Sequence, residues 1–415
     1  MRIPSALASA FDASFENFIA DFAVRQTLLP DAPSLKSNRY VARAIVPHIH
    51  KLSSLFNREE KEQSAALDPY WKESSNPAHL RAAYFLYFMP SNLFRIASVW
   101  AELSRLGFRW SAGETIRGIE FGAGPAPGAS ASAVAEKYAP IGMPQSGNWA
   151  LIEQDKAMLE LGKNWAEAYC AAQGMPDWGM RPFHRKMKLK DGFLPRNAPK
   201  FNAWIMSFFL NEFSESPREI AQQLLRSWEL HLEEEGVAIL IEPALKLQSR
   251  KLLEIRKELL AEAERKKIDW LQILLPCLGH QACGALAAEE DWCHEEAVWW
   301  RPPYFRLIDQ LAELDRKTLP FSYLVVTKSR RPREEILPAL ARVKTTQRLV
   351  SPAHKEGKEL EFFVCSNEGG KRRARYRPKG QEDPARELER GDILTDADLR
   401  GDARASRIDR FGSLK

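Results

Sequence analysis

The sequence predicts an α/β protein built on a doubly wound, mostly parallel sheet, with a helical region ahead of it. Three observations predict it. From Thr115 onward, short apolar runs alternate with helical periodicity, the pattern of strand–helix–strand units. One run, Ile119-Glu120-Phe121, passes into a glycine-rich turn, Gly122-Ala123-Gly124-Pro125-Ala126-Pro127-Gly128, and then into a small-residue helix through Ser130, Ala131, Ala133 and Ala135. Several predicted strands also end in acids or amides, on the edge where such sheets bind ligands.

Taken in order, residues 1–110 read as a helical domain. Phe11, Phe15, Phe18, Ile19 and Phe22 recur at steps of three and four, and a fresh helix after Pro90-Ser91-Asn92 carries Leu93, Phe94, Ile96, Ala97, Trp100 and Leu103 on one face. This region reads as a cap on the next domain, or as a clamp on a macromolecular substrate. Strand one then ends at Glu120. Strand two, Trp149 to Ile152, ends in Glu153-Gln154-Asp155, and a third is placed around Met180 to Phe183. The fourth, Ala203 to Leu210, is a near-continuous apolar run of the kind buried on both faces, followed by Asn211-Glu212. The fifth, Val237 to Ile241, ends in Glu242.

A charged helix from about Lys246 to Lys267 buries Leu252, Leu253, Ile255, Leu259 and Leu260, and its charges read as a solvated face. Phe321 to Val326 and Leu360 to Val364 are expected as strands six and seven, an antiparallel hairpin completing a seven-stranded sheet, with an exposed basic turn at Lys328 to Arg333. After Cys365 the chain reads as a polar tail. Its basic run, Lys371, Arg372, Arg373, Arg375, Arg377 and Lys379 with Tyr376 inside it, suits RNA phosphates and base stacking, or is simply solvated. The expected domains are 1–110 (helical), 111–365 (the α/β domain, with an insertion at 246–320) and 366–415 (the tail).

The composition is that of a globular protein: 415 residues, 45% apolar, net charge +5. No apolar run approaches the roughly 20 residues of a membrane helix, and Met1-Arg2-Ile3-Pro4 opens no hydrophobic signal core. A cytoplasmic monomer with no membrane partner is the expectation.

The glycine turn carries the first piece of chemistry. Glycines let the backbone approach a ligand, and the helix start that follows offers free N–H groups. A dinucleotide site wants G-x-G-x-x-G, and here Gly128 comes one residue late. The acid-x-G-x-G pattern looks more like the first motif of S-adenosylmethionine-dependent methyltransferases. An acid ending strand two, Glu153, is the expected acceptor for the ribose hydroxyls of an adenosine. The candidate cofactor-binding residues are Glu120, Gly122, Ala123, Gly124, Gly128, Glu153, Gln154, Asn211 and Glu212.

The second piece is a cysteine constellation. Three of the five cysteines, Cys277, Cys283 and Cys293, fall between the charged helix and strand six, and Cys365 closes strand seven. Four thiolates suit tetrahedral zinc or an iron–sulfur cluster, and His280 or His294 could replace one thiolate around zinc. Cys170 lies in a helical stretch and reads as core. Trp292, Trp299, Trp300, Tyr304 and Phe305 crowd the module as packing, as a shield or as a stacking surface.

Together these residues resemble the methyltransferase-like assembly factors of the small ribosomal subunit, found on mitochondrial ribosomes and in bacterial relatives. The resemblance spans roughly Tyr84 to Asp392. It rests on Tyr87-Phe88-Met89-Pro90, Glu120-x-Gly122-Ala123-Gly124-Pro125, Glu153-Gln154-Asp155 with Met158-Leu159-Glu160-Leu161-Gly162, Leu210-Asn211-Glu212, Glu242-Pro243, Pro276-Cys277, Trp292-Cys293-His294 and Leu319-Pro320-Phe321-Ser322-Tyr323. It implies a class I S-adenosylmethionine-dependent methyltransferase fold (Rossmann-like), S-adenosylmethionine at the glycine loop, a [4Fe–4S] cluster on Cys277, Cys283, Cys293 and Cys365, and binding to small-subunit rRNA. The chain departs from relatives after Gly124-Pro125, where they continue with glycine and it has Ala126-Pro127. No catalytic residue can be named. Ser207-Phe208-Phe209-Leu210-Asn211-Glu212 lacks the Asn/Asp-Pro-Pro-aromatic motif of RNA amine methylases, and Cys170 is not placed as a nucleophile. An rRNA methyltransferase and a noncatalytic assembly factor both remain open.

Overall fold

The computed structural model describes residues 1–56, 77–341, 345–366, 370–397, 399–400, 406–408 and 411–414. Parts of the expected N-terminal domain and tail therefore lie outside the described residues.

The central sheet contains β1 (Ile116–Phe121), β2 (Ser146–Glu153), β3 (Asp177–His184), β4 (Phe201–Ser207), β5 (Leu232–Pro243), β6 (Leu271–Leu275), β7 (Glu295–Val298) and β8 (Thr318–Lys328). Its order is β3-β2-β1-β4-β5-β8-β6, with β7 also paired to β8. β1 to β5 are parallel, and β8 runs antiparallel to its neighbours. This is the class I methyltransferase arrangement. The glycine loop leaves β1 at the place where the strand order reverses, the usual ligand position in such sheets.

The sheet has eight strands, and its far edge is not the one expected. β6, a short apolar run after the charged helix, takes the place assigned to Leu360–Val364. That segment instead forms β11 (Glu359–Ser366) in a second sheet with β9 (Thr346–Leu349), β10 (His354–Glu356), β12 (Lys371–Tyr376), β13 (Ile393–Thr395), β14 (Leu399–Arg400), β15 (Ser406–Ile408) and β16 (Gly412–Leu414). The periodicity explains why. β8 is buried almost throughout, as a strand covered on both faces must be, whereas β11 alternates, burying Leu360, Phe362 and Val364. Among the described residues of the expected polar tail, β12 to β16 thus belong to a folded sheet with a small core of its own.

The N-terminal helices share one core with the first face of the central sheet. Asp12 caps Ala13–Arg25, accepting from the Ser14 amide at 2.7 Å. Phe15 and Phe22 of that helix meet Trp165 of the Lys156–Ala172 helix edge-on, with ring centroids 6.3 and 5.3 Å apart. Pro217–His231 and Lys246–Lys266 cover the opposite face. Among the described residues, no helix is long and apolar enough to cross a membrane.

Three readings of charge change in three dimensions. The polar face of Lys246–Lys266 is not fully solvated, because the cysteine-bearing insertion lies on it. Arg256 is buried and donates to the carbonyls of Gly279 and Gln281, and Arg250 reaches those of Ala288 and Asp291. In the turn expected to be exposed, Lys328 and Arg333 are buried, donating to Leu232 O and to the carbonyls of Leu274 and Cys277. In the basic run, Arg373 and Arg375 pair with Glu361 on β11, and Lys371 with Asp291. Tyr376 is buried against Phe411 with its hydroxyl on Asp383, so it offers no stacking surface.

Candidate functional site

The loop after β1 has left-handed backbone at Gly122 (φ 60°), Gly124 (φ 48°) and Ala126 (φ 53°). The first two are the positions for which glycine is the natural residue, and Ala126 takes that conformation at a steric cost. The Pro127–Tyr138 helix starts at once. Glu120 supplies its cap, Oε1 accepting from Gly128 N at 2.8 Å and Oε2 from Ala129 N at 3.1 Å. A Cβ on Gly128 would lie 2.7 Å from the Glu120 carboxyl carbon. Gly128 therefore makes room for the cap. Burial pushes the Glu120 carboxyl up to about 8 against the pull of the two amides.

Glu153 holds the loop from the other side. It accepts from Gly124 N at 2.9 Å and from the amides of Gln154 and Asp155 at 2.8 and 2.9 Å. Asp155 then caps the Lys156–Ala172 helix through Met158 N. That helix approaches the glycine loop closely, because a Cβ on Gly162 would come within 2.4 Å of Gly124 O.

Between these elements opens a cleft of about 480 Å³, within the range of small-molecule sites. Gly122, Gly124, Glu153, Gln154 and Glu212 line it. Glu120, Ala123, Gly128 and Asn211 do not; they stand behind the loops. Glu242 plays for the loop after β4 the part that Glu120 plays after β1, accepting from Leu210 N at 2.8 Å, and burial pushes it up to about 8. The strand-end acids are thus of two kinds. Glu120 and Glu242 are buried and hold backbone, while Glu153 and Glu212 face the cleft.

Sequence reasoning missed the rest of the lining. Phe56 and Tyr84 come from the N-terminal helices, Tyr84 from a π-helical turn, Tyr84–Phe88. Their rings and that of Phe88 pack on one another, Phe56 to Phe88 at 5.2 Å and Tyr84 to Phe88 at 5.6 Å. His184 ends β3, Arg185, Lys186 and Met187 follow it, and Phe208 (φ 56°) and Phe209 follow β4. The strained Phe208 sits where a left-handed non-glycine residue is a mark of a functional site. The cations after β3 were a legible signal; the helical roof was not. Cys170 is fully buried near Ala129 O, away from the cleft.

The cysteines converge elsewhere. Cys277, Cys283, Cys293 and Cys365 line one cavity of about 60 Å³ with Arg256, Trp292, His294, Arg348 and Lys371. Among the described residues, no three His, Cys, Asp or Glu side chains are gathered as a ready ligand set for a single ion. His280 is outside the lining, its Nε2 accepting from Ile273 N at 3.1 Å. Burial pushes the Cys365 thiol up to about 12 and raises those of Cys283 and Cys293.

Comparison with known proteins adds the following. A family model described as mitochondrial small ribosomal subunit Rsm22 matches residues 81–394. No curated protein matches the chain. Among solved structures, similarity is found to precorrin-6y C5,15-methyltransferase from Geobacter metallireducens GS-15, at 14% identity over 56% of this chain and 87% of that one, with a TM-score of 0.29. It is also found to magnesium protoporphyrin IX methyltransferase from Synechocystis PCC 6803 with bound SAH, at 12% identity over 65% and 98%, with a TM-score of 0.32. These overlaps are loose, and the fold assignment rests on the strand order.

Proposed function

Since this chain belongs to the Rsm22 family of the mitochondrial small ribosomal subunit, we propose that it is an S-adenosylmethionine-binding, methyltransferase-like protein that works on the RNA of the small ribosomal subunit. The cleft beside Gly122-x-Gly124 and Glu153 carries this reading, because it combines exposed loop backbone, a strand-end carboxylate and an aromatic roof at the switch point of the sheet. Gly122 and Gly124 would admit the polar end of the ligand against the backbone. Glu153, whose oxygens keep further lone pairs beyond those facing the amides, would accept the ribose hydroxyls. Phe56 and Tyr84 would exclude water, and Gln154 and Met158 would flank the base. Bound there, S-adenosylmethionine supplies an electrophilic methyl group.

The donor chemistry of the second cavity fits a [4Fe–4S] cluster. Four thiols line one cavity, the donor set such a cluster takes, and Arg256 and Lys371 beside them would face its negative charge. Cys277, Cys283, Cys293 and Cys365 would hold it, and its place between the two sheets gives it a structural part. Protein purified without air is expected to contain about four irons and four sulfides per chain; one zinc per chain would exclude the cluster.

A noncatalytic assembly role is the second reading. It is favoured by the aromatic pair Phe208 and Phe209 after β4, where a methyl-accepting amine would need a polar partner. One experiment separates the two. Equilibrium dialysis with labelled S-adenosylmethionine is expected to show binding that weakens at least about tenfold in Glu153→Ala, one lost pair of charge-assisted hydrogen bonds being worth about 1.5–3 kcal/mol. Label passing to rRNA of immature small subunits makes the protein an enzyme. Binding without transfer makes it an assembly factor, and no binding by the unaltered protein overturns the cofactor reading.

A further inference from the structure

The chain must return from the end of β3 to the start of β4, across β2 and β1. Parallel strands usually make that return with an α-helix that covers the sheet. Here residues 185–200 contain only the short 3₁₀ turn Leu189–Asp191. The face of β3 is left open in consequence. Trp178 and Met180 are buried on one side of the strand, while Asp177, Arg181 and Phe183 are exposed on the other. A groove of about 910 Å³ runs along that face, floored by Gly179, Asn148 and Ala150 and walled by Leu194, Pro195 and Pro199. It shares the lining residues Ile152 and Arg185 with the cofactor cleft, so the two lie side by side.

The charge there is lopsided. From Arg181 to Lys200 the chain has seven Lys and Arg against the single Asp191, a surplus larger than the +5 of the whole protein. Arg181, Lys188, Lys190, Arg196 and Lys200 are exposed, and among the described residues no ion pair engages them. Phe183, 51% exposed, stands between Arg181 and Arg185 on the same face of the strand. Exposed aromatic rings on a sheet, interleaved with cations, bind unpaired bases and their phosphates.

We propose that this edge groove is the path of a single-stranded RNA segment, with a base stacked on Phe183 and its backbone on Arg181 and Lys200, leading toward the cofactor cleft. The assignment rests on the RNA-directed function above. It does not require that methyl transfer occur. A single strand fits because the ring is reached only by a base free of its partner.

The test is fluorescence anisotropy of a labelled oligouridylate of about 20 nucleotides against the full chain over a series of salt concentrations. One variant replaces Arg181 and Lys200, exposed cations that line the groove, with Gln. A charge-matched control replaces the exposed Arg39 and Lys257 with Gln. The first is expected to weaken binding several-fold and to flatten the salt slope by about 1.4, since each phosphate contact to a single strand contributes about 0.7. The control should change little. Phe183→Ser is expected to weaken binding about tenfold with an unchanged slope. S-adenosylmethionine binding should be retained in every variant, which shows them folded. Equal losses in groove variant and control, or unchanged binding in both groove variants, overturn the groove and leave the proposed function standing. Tighter binding of an RNA duplex with Phe183→Ser silent overturns the single-strand assignment. A wild-type protein that binds no RNA overturns both.

Discussion

Gly128 and Ala126 exchange the roles that their residue types announce. Gly128 has ordinary backbone and is needed for space, since a methyl group there would strike the carboxyl that caps the helix. Gly128→Ala is expected to lose about 1–3 kcal/mol, as overpacking does. Ala126 has the left-handed backbone that glycine takes without cost. Ala126→Gly is expected to gain up to about 1 kcal/mol by relieving that strain. Urea titration of the two variants checks both signs. A residue's identity in the G-x-G run was readable from the chain, but its use depended on what lay 3 Å away. That is why Glu120, Ala123, Gly128 and Asn211 belong behind the site while Gly122, Gly124, Glu153, Gln154 and Glu212 line it. Glu120 and Glu242 add a pH dependence. Each titrates near 4.5 in the unfolded chain and is pushed to about 8 by burial in the fold. Folding therefore takes up protons in that window. The stability these groups contribute is complete below about 4.5 and is lost as pH rises through 8. Urea midpoints should fall between pH 5 and 8.5, and Glu242→Gln should flatten that fall.

At the scale of elements, one buried cation joins four of them. Arg348 on β9 donates to Glu102 in Met89–Arg105 at 3.0 Å, to Glu295 on β7 at 3.0 Å and to the Tyr323 hydroxyl on β8 at 3.2 Å. Burial would raise Glu102, but Arg105 and Arg348 outweigh it and hold the carboxyl down to about 2. Arg348→Met takes one of two cationic partners from each carboxylate, Glu102 keeping Arg105 and Glu295 keeping the Met1 ammonium, and is expected to cost about 1.5–3 kcal/mol for each charged hydrogen bond lost. Glu102→Gln should cost less when added to Arg348→Met than it does alone, because its bond to Arg348 is then already lost. Denaturant midpoints of the single and double variants read this directly. The network also explains why β9 was not legible in the sequence. Thr346-Gln347-Arg348 is buried although polar, and nothing in its sequence says so; the burial of Arg348 is offset by partners 246, 53 and 25 residues away.

At the scale of the molecule, both candidate sites lie where separate parts of the chain meet. The cleft joins the sheet's ligand edge to the N-terminal helices through Phe56 and Tyr84. The thiol cavity joins the insertion after Leu275 to β11 of the second sheet. A change in either lobe should therefore reach a site. The sequence alone determined the parallel core of the fold, because strands buried on both faces write long apolar runs and the glycine turn writes its own loop. It also singled out the four cysteines, whose chemistry depends on residue type. Only the tertiary structure decided which acids face ligand and which hold backbone, where the last apolar strand pairs, and which cations are spent inside. Those outcomes depend on neighbours distant in the chain, and local periodicity carries no record of them.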